Sequence, residues 1–504
     1  MQAFPPRRGP RQSAHLMFRL LAIAFLASAA FADELETQVK RLTDAFALIE
    51  YNAADPVLSE QAFYQGAIPG MLRRLDPHSV FFDPQQFEQL KQMETSTRKG
   101  FGSVVSILPG RVIVLQTLPG TPSAKSGMSP GDEMLALNGI RLDRLDTEQL
   151  IGLLQQSRQQ PARITIRRPG NVRLVELTLT PEEMQKPSVE RAFFLKPGIG
   201  YLRVASFDEK TGKEIKEAIE KLGGGNLKGL VLDLRDNPGG MMVSALETAS
   251  LFLKPGLTLL TVRGRAVPQK EEKVPAEATP YTFPLAALIN GKSASASEIV
   301  AGALQDHDRA FIVGEPSFGK GLVQSVFPLA DSAGLALTTA LYYTPSGRSI
   351  QKPLDASQFA LAATASHPNA RNDFQTDKGR SVRGGGGIGP DEIVAPPQVS
   401  HFRAILEASA SFTSFATEYT QKHKVTEAFE VAPELLDDFK VWLAQRTIQP
   451  SIAEWSRDRD FIRIRLKTEI FNQSLGVEKG DEIEAQRDPQ ILRAIELIAK
   501  SAGS

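Results

Sequence analysis

At 504 residues the chain is too long for one hydrophobic core, and its composition, 42% apolar and 23% charged, is that of an ordinary globular protein. Lysine plus arginine and aspartate plus glutamate both number 58, so there is neither a basic footprint for nucleic acid nor a net field to steer a charged partner. Cysteine is absent, which excludes disulfides, thiolate metal sites and a cysteine nucleophile.

Arg7, Arg8, Arg11 and Arg19 precede an apolar run from Leu20 to Ala30, and Ala30-Phe31-Ala32 offers the small residues of a cleavage site. This is the layout of a secretory signal, so residues 1–32 are expected to direct export to the periplasm or cell envelope, with Met1 or Met17 as the start. The run is about a dozen residues, too short for a permanent membrane span. Residues 33–96 read as a helical region. Val39, Leu42, Ala45 and Phe46 recur at helical spacing, as do Phe63, Ala67, Met71 and Leu72, with a break at Asp76-Pro77-His78-Ser79.

Over 97–182 the period changes to two. Val112–Leu115, Arg163–Arg167 and Val172–Leu179 read as strands, and Gly131–Gly139 as a strand bracketed by turns. Between them Asp146, with Gln149 three positions on, caps a helix carrying Leu150, Leu153 and Leu154. The segment is a small β-rich module.

Over 183–397 strands and helices alternate. Tyr201–Phe207, Gly229–Leu234, Leu285–Asn290 and Ala310–Gly314 read as strands, and Thr211–Leu222, Met241–Phe252 and Ala296–Gln305 as helices. That alternation predicts an α/β core with buried strands. Residues 354–389, ending in Gly384–Gly387, read as a long mobile loop. The tail, 398–504, turns helical again: Phe402, Ile405 and Leu406 share a face, as do Leu435, Leu436, Phe439 and Trp442. Asp488-Pro489 opens a last helix with Leu492 and Ile495.

The chemistry begins at Ser293-Ala294-Ser295-Ala296-Ser297-Glu298, which follows a buried strand and opens a helix. A serine there lies at the positive helix end, whose N–H groups favour a developing oxyanion. The same Ser295-x-x-Glu298 spacing fits a capping box, and taken alone the cap is the simpler reading. A nucleophile also needs a base. His307, between Asp306 and Asp308, reads as a solvated helix end, and no G-x-S-x-G elbow occurs. Lys320, between Gly319 and Gly321, is the alternative: an amine shielded from water loses its proton more readily and can take one from serine.

Two patterns mislead. Gly291-Lys292-Ser293 ends like a phosphate-binding loop, but Ala286 stands where the first glycine is required. Ser317-x-x-Lys320 with Lys210-Thr211-Gly212 has the motifs of penicillin-binding proteins in reversed order. Leu234-Arg235-Asp236-Asn237-Pro238-Gly239-Gly240 joins a strand to a helix and reads equally as a tight turn or as a pair of exposed N–H donors.

Together, Ser-Ala-Ser-Ala-Ser-Glu at 293–298, Gly-Lys-Gly-Leu-Val-Gln at 319–324 and Leu-Arg-Asp-Asn-Pro-Gly-Gly at 234–240 resemble the carboxyl-terminal processing (tail-specific) peptidases. Tyr342–Gln351 and Gly389-Pro390-Asp391 are similar to that family too, and the resemblance runs from about residue 60 to 395 in family order. It implies Ser295 as nucleophile, Lys320 as general base and Gln324, at one helical turn's spacing, as the residue orienting the amine. The N–H groups of Gly240 and Ala296, with Gly239 as an alternative, would form the oxyanion hole. It implies a multidomain α/β fold, with a protease core of the kind shared with crotonases and Clp-type peptidases.

The β-rich module resembles a PDZ domain inserted into this chain, with Gly100, Phe101 and Gly102 as the loop for a substrate's terminal carboxylate. Arg167 or Arg168 is the candidate sensor of a bound tail. The resemblance therefore implies an exported serine endopeptidase acting on proteins with exposed apolar C-terminal tails, with no cofactor and no metal. Homo-oligomer formation and an adaptor protein are further uses open to the helical tail. The competing reading is a PDZ scaffold that is catalytically silent or activated by a partner.

Overall fold

The computed structural model describes residues 34–94, 97–108, 110–185, 187–354 and 373–502. The leader-like segment, 1–32, lies outside them, as does most of the loop's first half. Two compact units part between Arg74 and Leu75. The first holds helix α1 (34–52) and a π-helical turn, Gln61–Ala67, that runs into α2 (Ile68–Leu75), all but the last residue of which belongs to it. Phe46 and Phe63, both marked by the apolar spacing, bring their rings to 5.2 Å.

In the second unit the Asp76–Ser79 break is followed by a short strand, β1 (Val80–Phe82), and helix α3 (Pro84–Glu94). The PDZ-like module then begins. A ribbon of β2 (Thr97–Gly100) is closed, after the module, by β8 (Glu182–Gln185), so entry and exit of the insertion are hydrogen-bonded to each other. Between them lie β3 (Ser103–Leu108), β4 (Arg111–Thr117), β5 (Glu133–Leu137), helix α4 (Thr147–Ser157), β6 (Ala162–Arg167) and β7 (Val175–Leu179), paired in the order β3-β4-β5-β6-β7. The predicted capping box is present: Asp146 accepts the Gln149 N–H at 2.8 Å, and Gln149 accepts the Asp146 N–H at 3.0 Å. The module has its own core, with Val112, Val114, Leu137, Leu150 and Ile164 buried.

The central sheet runs β9-β10-β11-β14-β15-β18: β9 (Val189–Lys196), β10 (Ile199–Val204), β11 (Gly229–Asp233), β14 (Leu285–Ile289), β15 (Phe311–Gly314) and β18 (Glu392–Ile393). All but β9 are parallel. Strands β11 and β14 are buried at every residue, as near-continuous apolar runs between two covered faces should be. Helices α5 (Thr211–Lys221), α6 (Met242–Ser250) and α7 (Ala296–Asp306) contribute to the core on one face.

The sequence patterns left out a second sheet. Strands β12 (Thr258–Arg263), β13 (Lys270–Lys273), β16 (Leu322–Pro328) and β17 (Gly334–Tyr343) form it, with β1 and β16 both paired to β17. Its pairing shifts register between Thr258 and Leu260 and between Val323 and Gln324, which interrupts the period-two pattern that would mark its strands.

The tail splits in two. Helices α8 (His401–Ala408), α9 (Ser411–Lys422), α10 (Pro433–Ala444) and α11 (Ile452–Ser474) close around their own aromatic core, in which Phe412 and Phe439 stack at 5.5 Å. This layer reaches the PDZ-like module through Arg111, which donates to Ser414 Oγ at 3.1 Å, and through Gln116, which accepts the Val477 N–H at 3.2 Å at the start of α12 (Val477–Ala485). The last helix, α13 (Pro489–Ala502), instead covers the second face of the central sheet with Ile491, Ala494, Ile495, Leu497 and Ile498. Leu492, which the sequence pairs with Ile495 on this helix, is 40% exposed. A methyl group at Gly229 would overlap Ile498, so glycine is what lets this helix approach β11.

Residues 373–389, expected to be loop, carry a small hairpin of Phe374–Gln375 with Ser381–Val382. Arg380 ties it to Asp308 and Asp391, each at 2.5 Å.

Candidate active site

Parallel strands end in turns on one edge of the sheet, and there the two glycine- and serine-rich motifs meet. After β11, Asn237 accepts the Gly239 N–H on Oδ1 at 2.8 Å and donates Nδ2 to the Val204 carbonyl at 2.9 Å. Its backbone carbonyl accepts the Ala294 N–H at 3.0 Å and the Ser297 hydroxyl at 3.0 Å. The 234–240 turn is thereby clasped to the serine run. A methyl on Gly239 (φ 101°) would stand 2.7 Å from the Ala294 carbonyl oxygen and 2.8 Å from Ser295 Cβ; one on Gly240 (φ 142°) would overlap the Phe207 carbonyl. The Gly239 N–H is already spent on Asn237. Among the described residues those of Gly240 and Ala296 have no acceptor.

The three serines of the run differ in their commitments. Ser293 is buried and donates to the Leu234 carbonyl at 2.8 Å, and Ser297 is buried on Asn237. Ser295 is half-buried and has φ 53° and ψ −112°, far from the extended backbone of an ordinary N-cap. A non-glycine residue held there is strained, and strain of this kind gathers at functional turns. Glu298 closes half of the anticipated capping box by accepting the Ser295 N–H at 2.8 Å.

Glu298 does more than cap. Its carboxylate is fully buried and also accepts the Lys320 N–H at 2.9 Å, the Gly319 N–H at 2.7 Å and the Ser317 hydroxyl at 2.5 Å. Burial pushes its pKa up, against the downward pull of these bonds. Ser317 is therefore a buried strut, which also receives the Ile388 N–H at 2.6 Å. It is not the exposed serine that the penicillin-binding pattern requires. From the opposite side the Tyr342 hydroxyl lies 3.2 Å from the Ser295 carbonyl oxygen and 3.0 Å from that of Lys320. Burial, with the nearby Glu298 charge, holds this phenol well above its ordinary pKa, so it remains a neutral donor.

The Lys320 amine donates to Gln324 Oε1 at 2.8 Å, and among the described residues no hydrogen bond joins it to the Ser295 hydroxyl. Burial lowers its pKa, opposed by the charges of Asp76 and Glu298. Gln324 lies not on a helix but on β16, where the register with β17 shifts between Val323 and Gln324. Its Nε2 donates to the His78 carbonyl at 2.5 Å. His78 has no side-chain signature in the sequence because it acts through its backbone carbonyl; the local signal is the Asp-Pro-His-Ser break. His307, expected to be solvated, has a largely buried side chain pinned between Asp377 and the Thr258 carbonyl, each at 2.7 Å.

The remaining family-like motifs are scaffolding. Arg348 is buried against Asp306 at 2.7 Å and Gln305 at 2.7 Å, and Gln305 in turn binds the Gly389 carbonyl and Asp391, each at 2.8 Å. Gln351 accepts the Gly321 N–H at 2.9 Å and so fixes the far side of the lysine turn.

In the PDZ-like module a groove of about 450 Å³ is lined by Val105 and Ile107 of β3, by Ile151 and Leu154 of α4, and by Gly100, Phe101 and Gly102. The Phe101 carbonyl accepts the Ser123 N–H at 2.8 Å and the Gly102 carbonyl that of Leu118 at 2.8 Å. Among the described residues the N–H groups of Phe101 and Gly102 have no acceptor. Arg168 is committed to Asp132, at 2.7 Å, and to the Gly127 carbonyl, and Arg167 stands 3.7 Å from Glu133. Among the described residues no cluster of side chains is arranged to hold a metal ion, and no helix is long and apolar enough to cross a membrane.

Residues 198–355 match peptidase family S41 and residues 113–168 match a PDZ domain. The chain is 37% identical over 324 residues to the carboxy-terminal-processing protease of Bartonella bacilliformis, covering 62% of this chain and 73% of that protein. Over 328 residues it is 33% identical to the chloroplastic carboxyl-terminal-processing peptidase 2 of Arabidopsis thaliana, covering 62% of each. It is 34% identical over 293 residues to the carboxyl-terminal-processing protease of Synechocystis sp., covering 57% of this chain and 68% of that one. With a PDZ domain, a peptidase core and these relatives, the chain belongs to the carboxy-terminal-processing proteases, serine-type peptidases of family S41.

Proposed function

We propose that this peptidase cleaves exported proteins near their C-termini with a Ser295–Lys320 dyad. The observation that carries it is the convergence of a strained, half-buried Ser295 and a desolvated Lys320 on shared supports, Glu298 and Tyr342. The neutral Lys320 amine takes the proton from Ser295 Oγ as the oxygen attacks the scissile carbonyl. The oxyanion is received by the Gly240 and Ala296 N–H groups, which lack acceptors in the described structure. Lys320 returns the proton to the leaving amine, then removes one from water, which releases the acyl group from Ser295. Gln324 holds the amine in the interval, as it does here. The substrate tail lies along the apolar groove as an added strand, with its carboxylate on the Phe101 and Gly102 N–H groups.

The parallel β10-β11-β14-β15 core with its flanking helices is consistent with the crotonase and Clp-type architecture. The leader-like composition of residues 1–32 supports export to the cell envelope. The test compares the chain from Asp33 onward with its Ser295→Ala variant on a reporter bearing an unstructured apolar tail. Cleavage by the first and none by the second is expected. Equal cleavage by both would remove Ser295 from the chemistry.

A further inference from the structure

The glutamine that orients the base is itself oriented from outside the peptidase core. A carboxamide can present either its oxygen or its NH2 to a neighbour, and only the oxygen can accept from an amine. What selects the oxygen for Lys320 is the His78 carbonyl, which takes the Gln324 Nε2–H at 2.5 Å. That carbonyl belongs to the turn Asp76-Pro77-His78-Ser79, and the turn is organised by one carboxylate. Asp76 is 2% exposed. Its Oδ1 accepts the N–H groups of His78 at 2.7 Å and Ser79 at 2.8 Å, and its Oδ2 accepts the Ser79 hydroxyl at 2.6 Å. Ser79 Oγ accepts the Thr338 N–H at 3.1 Å, and Thr338 is the β17 residue in register with Gln324. Next to it Val80–Phe82 pair with Gly334–Ala336 on the same strand. The turn is thus stapled to the strand neighbouring the one that carries Gln324.

We propose that Asp76 is a positioning residue for the catalytic base: it closes the turn whose His78 carbonyl fixes the Gln324 amide, and so aims Gln324 Oε1 at Lys320. The proposal rests on the reading of Lys320 as base. Among the described residues Asp76, Glu298 and His78 face that amine. Asp76 and Glu298 both favour its charged form, and the amine in turn disfavours protonation of His78. Asp76 therefore influences the base in two separable ways, through the turn and through its charge.

Two substitutions separate them. Asp76→Ala removes every acceptor from the turn. Asp76→Asn keeps the Oδ1 acceptor for both N–H groups and can donate Nδ2–H to the free lone pair of Ser79 Oγ, while removing the charge. Steady-state cleavage of the tailed reporter should show Asp76→Ala lowering kcat about tenfold or more with KM within about twofold, since only the orientation of a reacting group is lost. Asp76→Asn should keep kcat within about threefold and move the acidic limb of the pH profile to lower pH.

Titration of the Lys320 amine by NMR of 13C-lysine-labelled protein, in the Ser295→Ala background with and without Asp76→Asn, needs no turnover. It should show the same downward movement. A kcat for Asp76→Ala within twofold of wild type, or a Lys320 titration indifferent to Asp76→Asn, overturns the proposal. Should the wild-type chain fail to cleave while the titration still responds, the dyad reading falls and the influence of Asp76 on the Lys320 amine stands.

Discussion

Ser295 and Lys320 donate their backbone N–H groups to the same oxygen, Glu298 Oε2, at 2.8 and 2.9 Å. Their carbonyls approach the same hydroxyl, Tyr342 Oη, at 3.2 and 3.0 Å. Two residues from separate turns, one after β14 and one after β15, are thereby held in a common frame, with no hydrogen bond between their side chains among the described residues. The frame explains how a site can keep its geometry while its amine rests on Gln324, since what is fixed is the backbone of both partners.

Replacing Glu298 by Gln should be far more damaging than its small change of shape suggests. An NH2 would replace one carboxylate oxygen where only donors converge, from Ser295, Ser317, Gly319 and Lys320. Each carboxylate oxygen accepts two of these bonds, so loss of both charge-assisted bonds at the replaced oxygen should cost about 3 kcal/mol of stability or more. We expect a fall of about 100-fold in kcat/KM together with a lower Tm, measured by reporter cleavage and thermal melting. Wild-type values for both would show that Glu298 is only a helix cap.

The pH dependence follows from Lys320. Its pKa is lowered by burial, so the neutral form that accepts a proton becomes populated below the ordinary lysine range. Activity should rise with pH and reach half-maximum at a value below that of a free lysine. The same depression means that the native state binds fewer protons at this group than the unfolded chain. This one residue therefore makes stability increase with pH between the native and unfolded pKa values. A kcat/KM profile with its midpoint at or above the free-lysine value would contradict the assignment.

Gly239→Ala tests the clasp between the two turns. The added methyl would meet the Ala294 carbonyl, Ser295 Cβ and the Ala296 N at 2.7, 2.8 and 3.0 Å, at a φ of 101° that alanine resists. Loss of activity by at least about 100-fold is expected, because the serine turn must shift. Gly386→Ala, with no atom within 4 Å of the new methyl, should remain active and serves as the control. Comparable activity of the two variants would show that the serine turn yields without consequence.

Truncation after Arg487 should unfold the peptidase core rather than trim an appendage. The lost helix buries Ile491, Ile495, Leu497 and Ile498 on the central sheet. Four such side chains contribute on the order of 6–12 kcal/mol, comparable to the whole stability of a domain. Recovery of a soluble, cooperatively melting protein after this truncation would refute the role given to the helix.

Local chemistry was legible wherever it was carried by neighbours in the chain. The buried runs Gly229–Leu234 and Leu285–Asn290, the Asp146 cap and the serine run at a helix start are all where periodicity and turn chemistry put them. The spacing of Lys320 and Gln324 leaves the element open: Gln324 meets the amine from a strand with shifted register and is held by a backbone carbonyl that carries no residue identity. The hairpin at 374–382 leaves no mark in the sequence, because its strands are two residues each and rest on ion pairs from Arg380 rather than on a pattern.

From the order of residues alone come the family, the strand–turn–helix setting of Ser295 and the lysine between glycines, since each depends on composition and spacing within a few positions. Tertiary structure alone decides that Ser293, Ser297 and Ser317 are struts, that Glu298 and Tyr342 join the two turns, and that the tail divides between a separate helical core and a cover for the central sheet. The physical reason is the same throughout. Burial and hydrogen-bond partners are properties of packed surfaces, and the groups that satisfy Glu298 and Asp76 come from segments whose proximity no local pattern encodes.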